Sequence, residues 1–256
     1  MKADSELAGL VQPSPNHGER RSGVTEPDML ILHYTGMEDG EMALRWLCSE
    51  RSEVSCHYLV HEDGRIVQLV PEALRAWHAG AGSWKGQADI NSRSIGIEIV
   101  NPGHDNGYRP FPEPQIAAVI ALCQDILARR SIPAERVLAH SDVAPSRKID
   151  PGELFPWDRL HAAGIGHWIQ PVPLGGGRFI SMGDKGEPVV AYQSLLGAYG
   201  YEVEADGLFG EATRFATIAF QRHFRQAKVD GVADLSTIGT LHRLLSSLDR
   251  SPFAAA

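Results

Sequence analysis

The segment IQPVPLGGGR, residues 169–178, interrupts every periodic pattern in the chain with two prolines and three consecutive glycines. This composition is typical of a flexible connector. It separates a long N-terminal part with mixed patterns from a short C-terminal part with helical patterns only. We therefore expect an N-terminal extension at 1–24, a first domain at 25–168, a linker at 169–178 and a second domain at 179–250.

Strand signals recur throughout the first domain. Four segments are predicted to form strands: MLILHYT (29–35), CHYLVHEDGRIVQLV (56–70), SIGIEIV (94–100) and RVLAH (136–140). The second of these has two β-rich arms around Asp63-Gly64, which predicts a hairpin. The third alternates strictly, so its three isoleucines share one face while Glu98 lies on the other.

Helical spacing of apolar residues lies between these strands, after residue 35 and over residues 113–130. Interleaved strands and helices predict an α/β domain. After the connector, DGLFGEAT (206–213) and DGVADLST (230–237) each precede a helical run. We expect a small, internally repeated, all-α module there.

Composition excludes several classes of partner. A net charge of −8 argues against nucleic acid and anionic membranes. No apolar run approaches the ~20 residues that span a bilayer, so we expect no transmembrane segment. The N-terminus lacks the apolar stretch of a secretory signal, which favours the cytoplasm. The 3 cysteines suit buried reduced thiols better than disulfides.

Polar residues at the carboxyl ends of two predicted strands suggest a metal site. If MLILHYT and RVLAH are neighbours, His33 and His140 meet at one edge, and Asp150 follows in the loop KIDPG. Two imidazoles and a carboxylate are a common ligand set for zinc with an open position. Glu98 could then act as general base, and Lys148 could stabilise an oxyanion.

Spacing alone leaves a second interpretation open. His33 and His140 are separated by more than a hundred residues, and no short motif joins them. They also fit strand-end histidines that bind backbone groups, with Glu98 solvated on an exposed face. Lys148 and Asp150 would then belong to an ordinary turn.

Six motifs in a fixed order favour the metal site. They are ILHYTG, SCHYLVHEDGRIVQLVP, AWHAG, NSRSIGIEIVN, VLAHSDVAPSRKIDPG and FPWDRL. Together they resemble the type 2, zinc-dependent N-acetylmuramoyl-L-alanine amidases, which share their fold with peptidoglycan recognition proteins. The resemblance covers roughly residues 25–162. It implies a central mixed β-sheet flanked by helices, with one Zn²⁺ per chain in a surface groove.

Carried over by position, the resemblance implies that His33, His140 and Asp150 bind the zinc. Glu98 matches the family's catalytic glutamate, and Lys148 matches the basic residue that assists it. The implied reaction is hydrolysis of the amide between the lactyl group of N-acetylmuramic acid and L-alanine, in peptidoglycan or muropeptides, during wall turnover or recycling. A non-catalytic recognition protein on the same fold is the alternative, although such binders typically lack a complete ligand set.

The C-terminal part resembles the peptidoglycan-binding domain found beside wall hydrolases, a three-helix unit with paired repeats. DGLFGEAT, AFQRHF and DGVADLST carry this resemblance. Asp206 and Asp230 are explained by turn geometry and not by catalysis. A wall-binding module favours the periplasm or cell envelope, whereas the missing signal favours the cytoplasm, and the sequence leaves both compartments open.

Five further residues are candidates for substrate binding. They are Tyr34, Trp77, His78, Arg93 and Asn101. Trp77 could stack on a sugar, and His78 is expected in the groove and not on the metal. Arg93 and Asn101 flank the Glu98 strand. The sequence leaves the oligomeric state and the stem-peptide preference undetermined.

Overall fold

The computed structural model describes residues 2–21 and 23–248. In those residues the strands are β1 (Leu10–Val11), β2 (His17–Gly18), β3 (Met29–Tyr34), β4 (Tyr58–Val60), β5 (Ile66–Gln68), β6 (Arg75–Ala76), β7 (Ser94–Ile99) and β8 (Val137–Ala139). The α-helices are α1 (Gly40–Leu47), α2 (Ile90–Arg93), α3 (Glu113–Arg129), α4 (His140–Val143), α5 (Trp157–Ala162), α6 (Glu187–Tyr199), α7 (Glu211–Phe224) and α8 (Leu235–Leu248). This order confirms the predicted α/β part and the all-α C-terminal part.

The central element is a mixed sheet. In the described part of the chain its strand order is β1-β5-β4-β7-β3-β8. β3 pairs in parallel with both β7 and β8, and β4 pairs in parallel with β7. β4 and β5 are antiparallel and form the predicted hairpin, whose turn holds Gly64 at a φ of 89°. Four parallel strands, β4, β7, β3 and β8, therefore end at one edge of the sheet.

The two faces of β7 have different environments. Ile95, Ile97 and Ile99 are fully buried in a hydrophobic cluster that includes the inner face of α3. Gly96 and Glu98 point the other way, and a Cβ at Gly96 would collide with the ring of His78. The alternation predicted from SIGIEIV is confirmed, and it turns Glu98 towards the polar side of the sheet.

The register between parallel strands brings chemical groups together. His33 of β3 lies opposite Glu98 of β7. His140 follows β8 directly and begins α4, whereas the sequence predicted it as the last residue of a strand. At this turn the Ala139 N–H donates to the side chain of Asp142. His140 consequently still lies at the same edge as His33.

A glutamine clamp repeats within the C-terminal helices. In each repeat the Nε2 of a buried glutamine bonds three acceptors: the turn aspartate, the backbone carbonyl two residues after that aspartate, and a threonine of the next helix. The Oε1 of the same glutamine accepts from the N–H of the turn glycine. These distances are all 2.8–3.2 Å. The first set, in that order, is Gln193, Asp206, Leu208, Thr213 and Gly207. The second set is Gln221, Asp230, Val232, Thr237 and Gly231. Both aspartates therefore hold turns.

The C-terminal helices pack directly against the α/β part. One hydrophobic cluster contains Met29, Ile31 and Trp84 together with residues of α6, α7 and α8. The connector lies against α8, where the Val172 N–H donates to Thr240 Oγ1 at 3.0 Å and Val172 O accepts from Ser236 Oγ at 2.6 Å. The two parts therefore share one core across the connector.

The N-terminal residues also belong to the fold. β1 pairs with β5, and Arg20 donates to four backbone carbonyls, those of Asn91, Ser92, Ser94 and Glu72. Met1, Ser22 and residues 249–250 of the predicted divisions lie outside the described residues. Of the three cysteines, Cys56 and Cys123 are buried, whereas Cys48 is partly exposed. Among the described residues, every helix is too short or too polar to cross a membrane.

Candidate metal centre

Three side chains converge at the carboxyl edge of the sheet: His33, His140 and Asp150. The Nδ1 atoms of His33 and His140 are 2.9 Å apart. Asp150 Oδ2 lies 3.0 Å from His33 Nδ1 and 2.9 Å from His140 Nδ1. All three residues are buried. Three potential ligand atoms therefore face one point, as the sequence predicted for a metal site.

The tautomer of His140 follows from its other ring nitrogen. His140 Nε2 lies 2.9 Å from the carbonyl oxygen of Ala79. A carbonyl oxygen only accepts, so Nε2 carries the hydrogen in the neutral ring. The lone pair of His140 is therefore on Nδ1, the atom that faces Asp150.

A longer chain of hydrogen bonds fixes the tautomer of His33. Ser94 Oγ donates to the carbonyl of Ile90 at 2.6 Å, so it accepts from His78 Nε2 at 3.1 Å. His78 Nδ1 is then an acceptor, and it receives the hydrogen of His33 Nε2 at 2.9 Å. The lone pair of His33 is left on Nδ1. His78 and Ser94 thus orient this imidazole from behind.

The ionisation states agree with this arrangement. Burial, reinforced by the neighbouring His140, lowers the pKa of His33 to about 4, although Asp150 opposes the shift. Burial disfavours the charged form of Asp150, but the imidazoles of His140 and His33 outweigh it and lower the pKa of Asp150 below its usual range. At neutral pH an ionised carboxylate oxygen and the His33 lone pair face the same point. A divalent cation, and zinc in particular, fits such a donor set.

Glu98 is the acidic neighbour of these three residues. Its Oε2 is buried and lacks a hydrogen-bond partner among the described residues. Burial raises the pKa of Glu98 well above its usual value, the negative charge of Asp150 adds to the rise, and Lys148 opposes it. A buried carboxyl oxygen without a partner is costly for the fold. This combination is typical of a residue that exchanges protons with a ligand.

A cleft of about 500 Å³ opens beside these residues. Glu98, His140, Lys148 and Asp150 line its polar part. Its apolar lining includes Met37, Trp46, Leu47 and Val54. The cleft thus combines a metal-type donor set with a surface for a larger, partly apolar substrate.

Comparison with protein families identifies the N-terminal part. Residues 23–153, more than half of the chain, match the family model described as N-acetylmuramoyl-L-alanine amidase. The chain belongs to the N-acetylmuramoyl-L-alanine amidase family. It is an amidase of this family, as the six sequence motifs predicted. Residues 185–241 match the peptidoglycan binding domain family, which covers the two glutamine clamps.

Individual relatives agree with this assignment. The chain is 40% identical over 232 residues to the N-acetylmuramoyl-L-alanine amidase AmiD of Escherichia coli (strain K12), covering 85% of this chain and 82% of that protein. It is 33% identical over 167 residues to the 1,6-anhydro-N-acetylmuramyl-L-alanine amidase AmpD of Enterobacter cloacae, covering 59% of this chain and 87% of that protein. The likeness to AmiD therefore extends beyond the amidase part.

Solved structures are also similar. A complex of E. coli AmiD with anhydro-N-acetylmuramic acid-L-Ala-D-γ-Glu-L-Lys superposes with a TM-score of 0.75 at 37% identity, covering 91% of this chain and 94% of that one. AmpDh3 of Pseudomonas aeruginosa, in complex with an anhydromuramic pentapeptide, gives a TM-score of 0.72 at 29% identity, covering 93% of this chain and 96% of that one. Both likenesses support the amidase fold with its C-terminal helices.

The five substrate-binding candidates lie in different places in this amidase. Tyr34 is half-buried and lines the cleft, with its hydroxyl 3.0 Å from His104 Nδ1. His78 also lines the cleft, but it is buried and its main contact is with His33. The structure brings these two residues to the site.

In the described part of the chain, the other three candidates are not among the residues that line the cleft. Arg93 precedes β7 at its amino end, about 16 Å from Glu98 at ~3.3 Å per residue, and it lies 3.8 Å from Asp28. Asn101 is buried and holds its own loop, because its side chain bonds Arg109 O and the Gly103 N–H. Trp77 is half-buried, and its backbone N–H donates to the Oγ of Ser55, which itself lines the cleft.

Trp46 lines the cleft but is not one of the five substrate-binding candidates drawn from the sequence. It is 48% exposed and lies on α1, four residues after Met42, which is 39% exposed. Ala43 and Leu47 on the same helix are buried. The signal was present in the sequence, because Met42 and Trp46 form a second apolar pair at i, i+4, beside the pair that faces the core.

Proposed function

We propose that this amidase hydrolyses the amide between the lactyl group of N-acetylmuramic acid and the L-alanine of the stem peptide, with one Zn²⁺ per chain bound by His33, His140 and Asp150. The observation that carries the proposal is the meeting of two imidazole Nδ1 atoms and one carboxylate oxygen within 3.0 Å, beside the unpaired carboxyl of Glu98. When bound by these residues, zinc would supply a Lewis acid that activates water for attack near neutral pH.

Each residue of the site has a distinct role in this proposal. Glu98 accepts a proton from the attacking water and returns it to the nitrogen of L-alanine as the amide breaks. Its raised pKa suits the first step, since a carboxylate whose pKa lies above the usual value is a stronger base. Lys148 lines the same cleft and stabilises the negative charge that develops on the carbonyl oxygen. His78 keeps His33 in the required tautomer.

Muropeptides with an anhydro sugar are the proposed small substrate, and peptidoglycan strands are the proposed polymer. Support for the first comes from the likeness to an AmiD complex with anhydro-N-acetylmuramic acid-L-Ala-D-γ-Glu-L-Lys. Support for the second comes from the match of residues 185–241 to a peptidoglycan binding domain. The exposed Trp46 offers an aromatic face for a sugar or an apolar peptide side chain at the edge of the cleft.

The division into the segments 1–24, 25–168, 169–178 and 179–250 stays part of the proposal, with catalysis assigned to the second segment and wall binding to the fourth. A cytoplasmic location likewise stays a prediction, and the periplasm or cell envelope is its alternative. Fractionation of cells that express the tagged chain from its own promoter distinguishes these compartments.

The activity is tested with purified, zinc-loaded protein on two substrates in parallel. Soluble anhydro-muropeptide and intact sacculi are incubated with the protein, and released stem peptides with a free L-alanine amino group are quantified by mass spectrometry. We expect release from both substrates, and loss of release after zinc is removed with a chelator. Stoichiometric zinc with no release from either substrate would instead support the non-catalytic recognition protein.

A further inference from the structure

The turn that carries His140 depends on Asp142. His140 is the first residue of α4, and Asp142 Oδ2 accepts a hydrogen bond from the N–H of Ala139, the residue just before it, at 2.8 Å. α4 is only four residues long, so it has few hydrogen bonds of its own. This carboxylate therefore helps to hold the backbone turn from which the His140 side chain projects.

Two side chains of the C-terminal part, Tyr201 in the loop after α6 and His223 in α7, bind the same carboxylate. The Tyr201 hydroxyl donates to Asp142 Oδ1 at 2.6 Å, and His223 Nδ1 lies 2.7 Å from Asp142 Oδ2. A carboxylate only accepts, so His223 Nδ1 carries a hydrogen. All three residues are at most 2% exposed. Asp142 is thus bound on one side by the turn of His140 and on the other by the C-terminal module.

Packing leaves His223 little freedom to move. Its ring stacks between Trp157 and Phe224, with centroid distances of 3.7 Å and 3.8 Å. Tyr201 contacts Trp84 and Phe220 in the shared core. Both donors are therefore held in place independently of Asp142.

The loop that carries Asp150 is attached to the same helix. Glu153, three residues after Asp150, lies 3.6 Å from Arg222 of α7. Gln226, which follows α7, donates to the carbonyl of Phe155 at 2.7 Å. Two of the three proposed ligands therefore lie on segments that α7 and its continuation hold, whereas His33 is fixed within the sheet.

We infer that Tyr201 and His223 are positioning residues of the metal centre: by binding Asp142 they fix the turn of His140, so the C-terminal module is part of the metal site and not only a wall-binding attachment. The inference rests on the proposed function, because it concerns the zinc that His140 would bind. Zinc affinity is its direct readout.

The test uses the full chain with single substitutions. Tyr201→Phe removes one donor to Asp142 and keeps the ring, and His223→Leu removes the other. We expect each to weaken Zn²⁺ affinity about 10-fold in competition with a chromogenic chelator, because loss of an outer-shell partner typically costs about 10- to 100-fold. His223→Asn, which keeps an N–H donor near the same place, should bind zinc as the wild type does.

Tyr192→Phe is the matched control. Tyr192 is a buried tyrosine of the same module, and its hydroxyl donates to Thr217 at 3.0 Å, away from Asp142. It should lower stability much as Tyr201→Phe does and leave zinc affinity unchanged. Equal zinc affinity in Tyr201→Phe and wild type, or equal weakening in Tyr201→Phe and Tyr192→Phe, overturns the inference. Failure of the wild type to bind zinc overturns the proposed function instead.

Discussion

Glu98 lies directly opposite His33 on the neighbouring parallel strand, and its Oε2 is buried without a hydrogen-bond partner among the described residues. The pairing places a carboxyl group beside the proposed zinc ligands without making it one of them. A fourth protein ligand would fill the position that water needs. Because Glu98 is not a ligand, the triad of His33, His140 and Asp150 leaves a coordination position for water, as a hydrolytic centre requires.

Replacement of this carboxyl group tests its role. Glu98→Gln keeps the size of the side chain and removes its ability to carry a proton between water and amine. We expect turnover of anhydro-muropeptide to fall about 100- to 10,000-fold, with zinc content unchanged by elemental analysis. Glu113→Gln, at an exposed glutamate paired with Arg159, is the control and should keep full activity. Undiminished turnover in Glu98→Gln would remove Glu98 from the mechanism.

Lys148 is expected to act on the transition state and not on substrate binding. Lys148→Met keeps the aliphatic stem and removes the charge, so kcat should fall about 100-fold while KM changes little. Lys185→Met, at an exposed lysine of the C-terminal module, serves as the control. Steady-state kinetics on a soluble muropeptide separate the two constants. A rise in KM with an unchanged kcat would show that Lys148 only binds substrate.

Trp46 and Trp77 compete for the role of the aromatic residue that binds substrate. Trp46 lines the cleft, whereas Trp77 is not one of its lining residues. Trp46→Ala should therefore raise KM about 5-fold, the equivalent of about 1 kcal/mol of lost aromatic contact. Trp77→Phe should leave KM unchanged. The opposite result, with KM sensitive to Trp77 alone, would restore the interpretation drawn from the sequence.

Stability should depend on pH through a buried histidine next to the site. His57 Nδ1 accepts from the Gly96 N–H at 2.9 Å and its Nε2 lies 3.1 Å from Leu74 O, so only the neutral ring fits. Burial, reinforced by Arg20, lowers the pKa of His57 to about 3. In the unfolded chain the ordinary value of about 6.5 applies. Below that pH the unfolded state binds a proton that the folded state does not.

The free energy of unfolding should therefore fall as the pH is lowered from about 6.5 towards 3, by about 1.4 kcal/mol per pH unit for this one group. Urea unfolding of the zinc-free protein at about pH 7 and about pH 5 measures the loss. His57→Gln can keep both hydrogen bonds and cannot titrate, so its loss over this range should be smaller by about 2 kcal/mol. Equal losses in the two proteins would contradict the assignment.

Local patterns predicted the elements of this fold well, because each pattern reports which side of a strand or helix is buried. The alternation around Ile97 correctly predicted that Glu98 lies on the face of its strand opposite the buried isoleucines. The register that sets Glu98 opposite His33 joins segments about 65 residues apart, and no local pattern encodes it. The ligand set came from resemblance for the same reason, since spacing alone favoured an ordinary turn for Asp150.

The contacts of Asp142 mark the limit of sequence reasoning. Its partners Tyr201 and His223 lie 59 and 81 residues away and come from the part of the chain beyond the connector. A glycine run suggests independence of the segments that it joins, but burial of apolar surface between them decides whether they separate. The amino-acid composition of the connector does not reveal how much apolar surface is buried between the two parts that it joins.

The cluster shared by Met29 of β3 and Leu244 of α8 has a consequence for proteolysis. The glycines 175–177 are exposed, so a protease can cut there without first unfolding the protein. Because apolar side chains from both sides of the cut remain buried against each other, the two fragments should stay associated through gel filtration and melt in a single transition. A nick in this backbone would thus leave an assembled, two-chain enzyme.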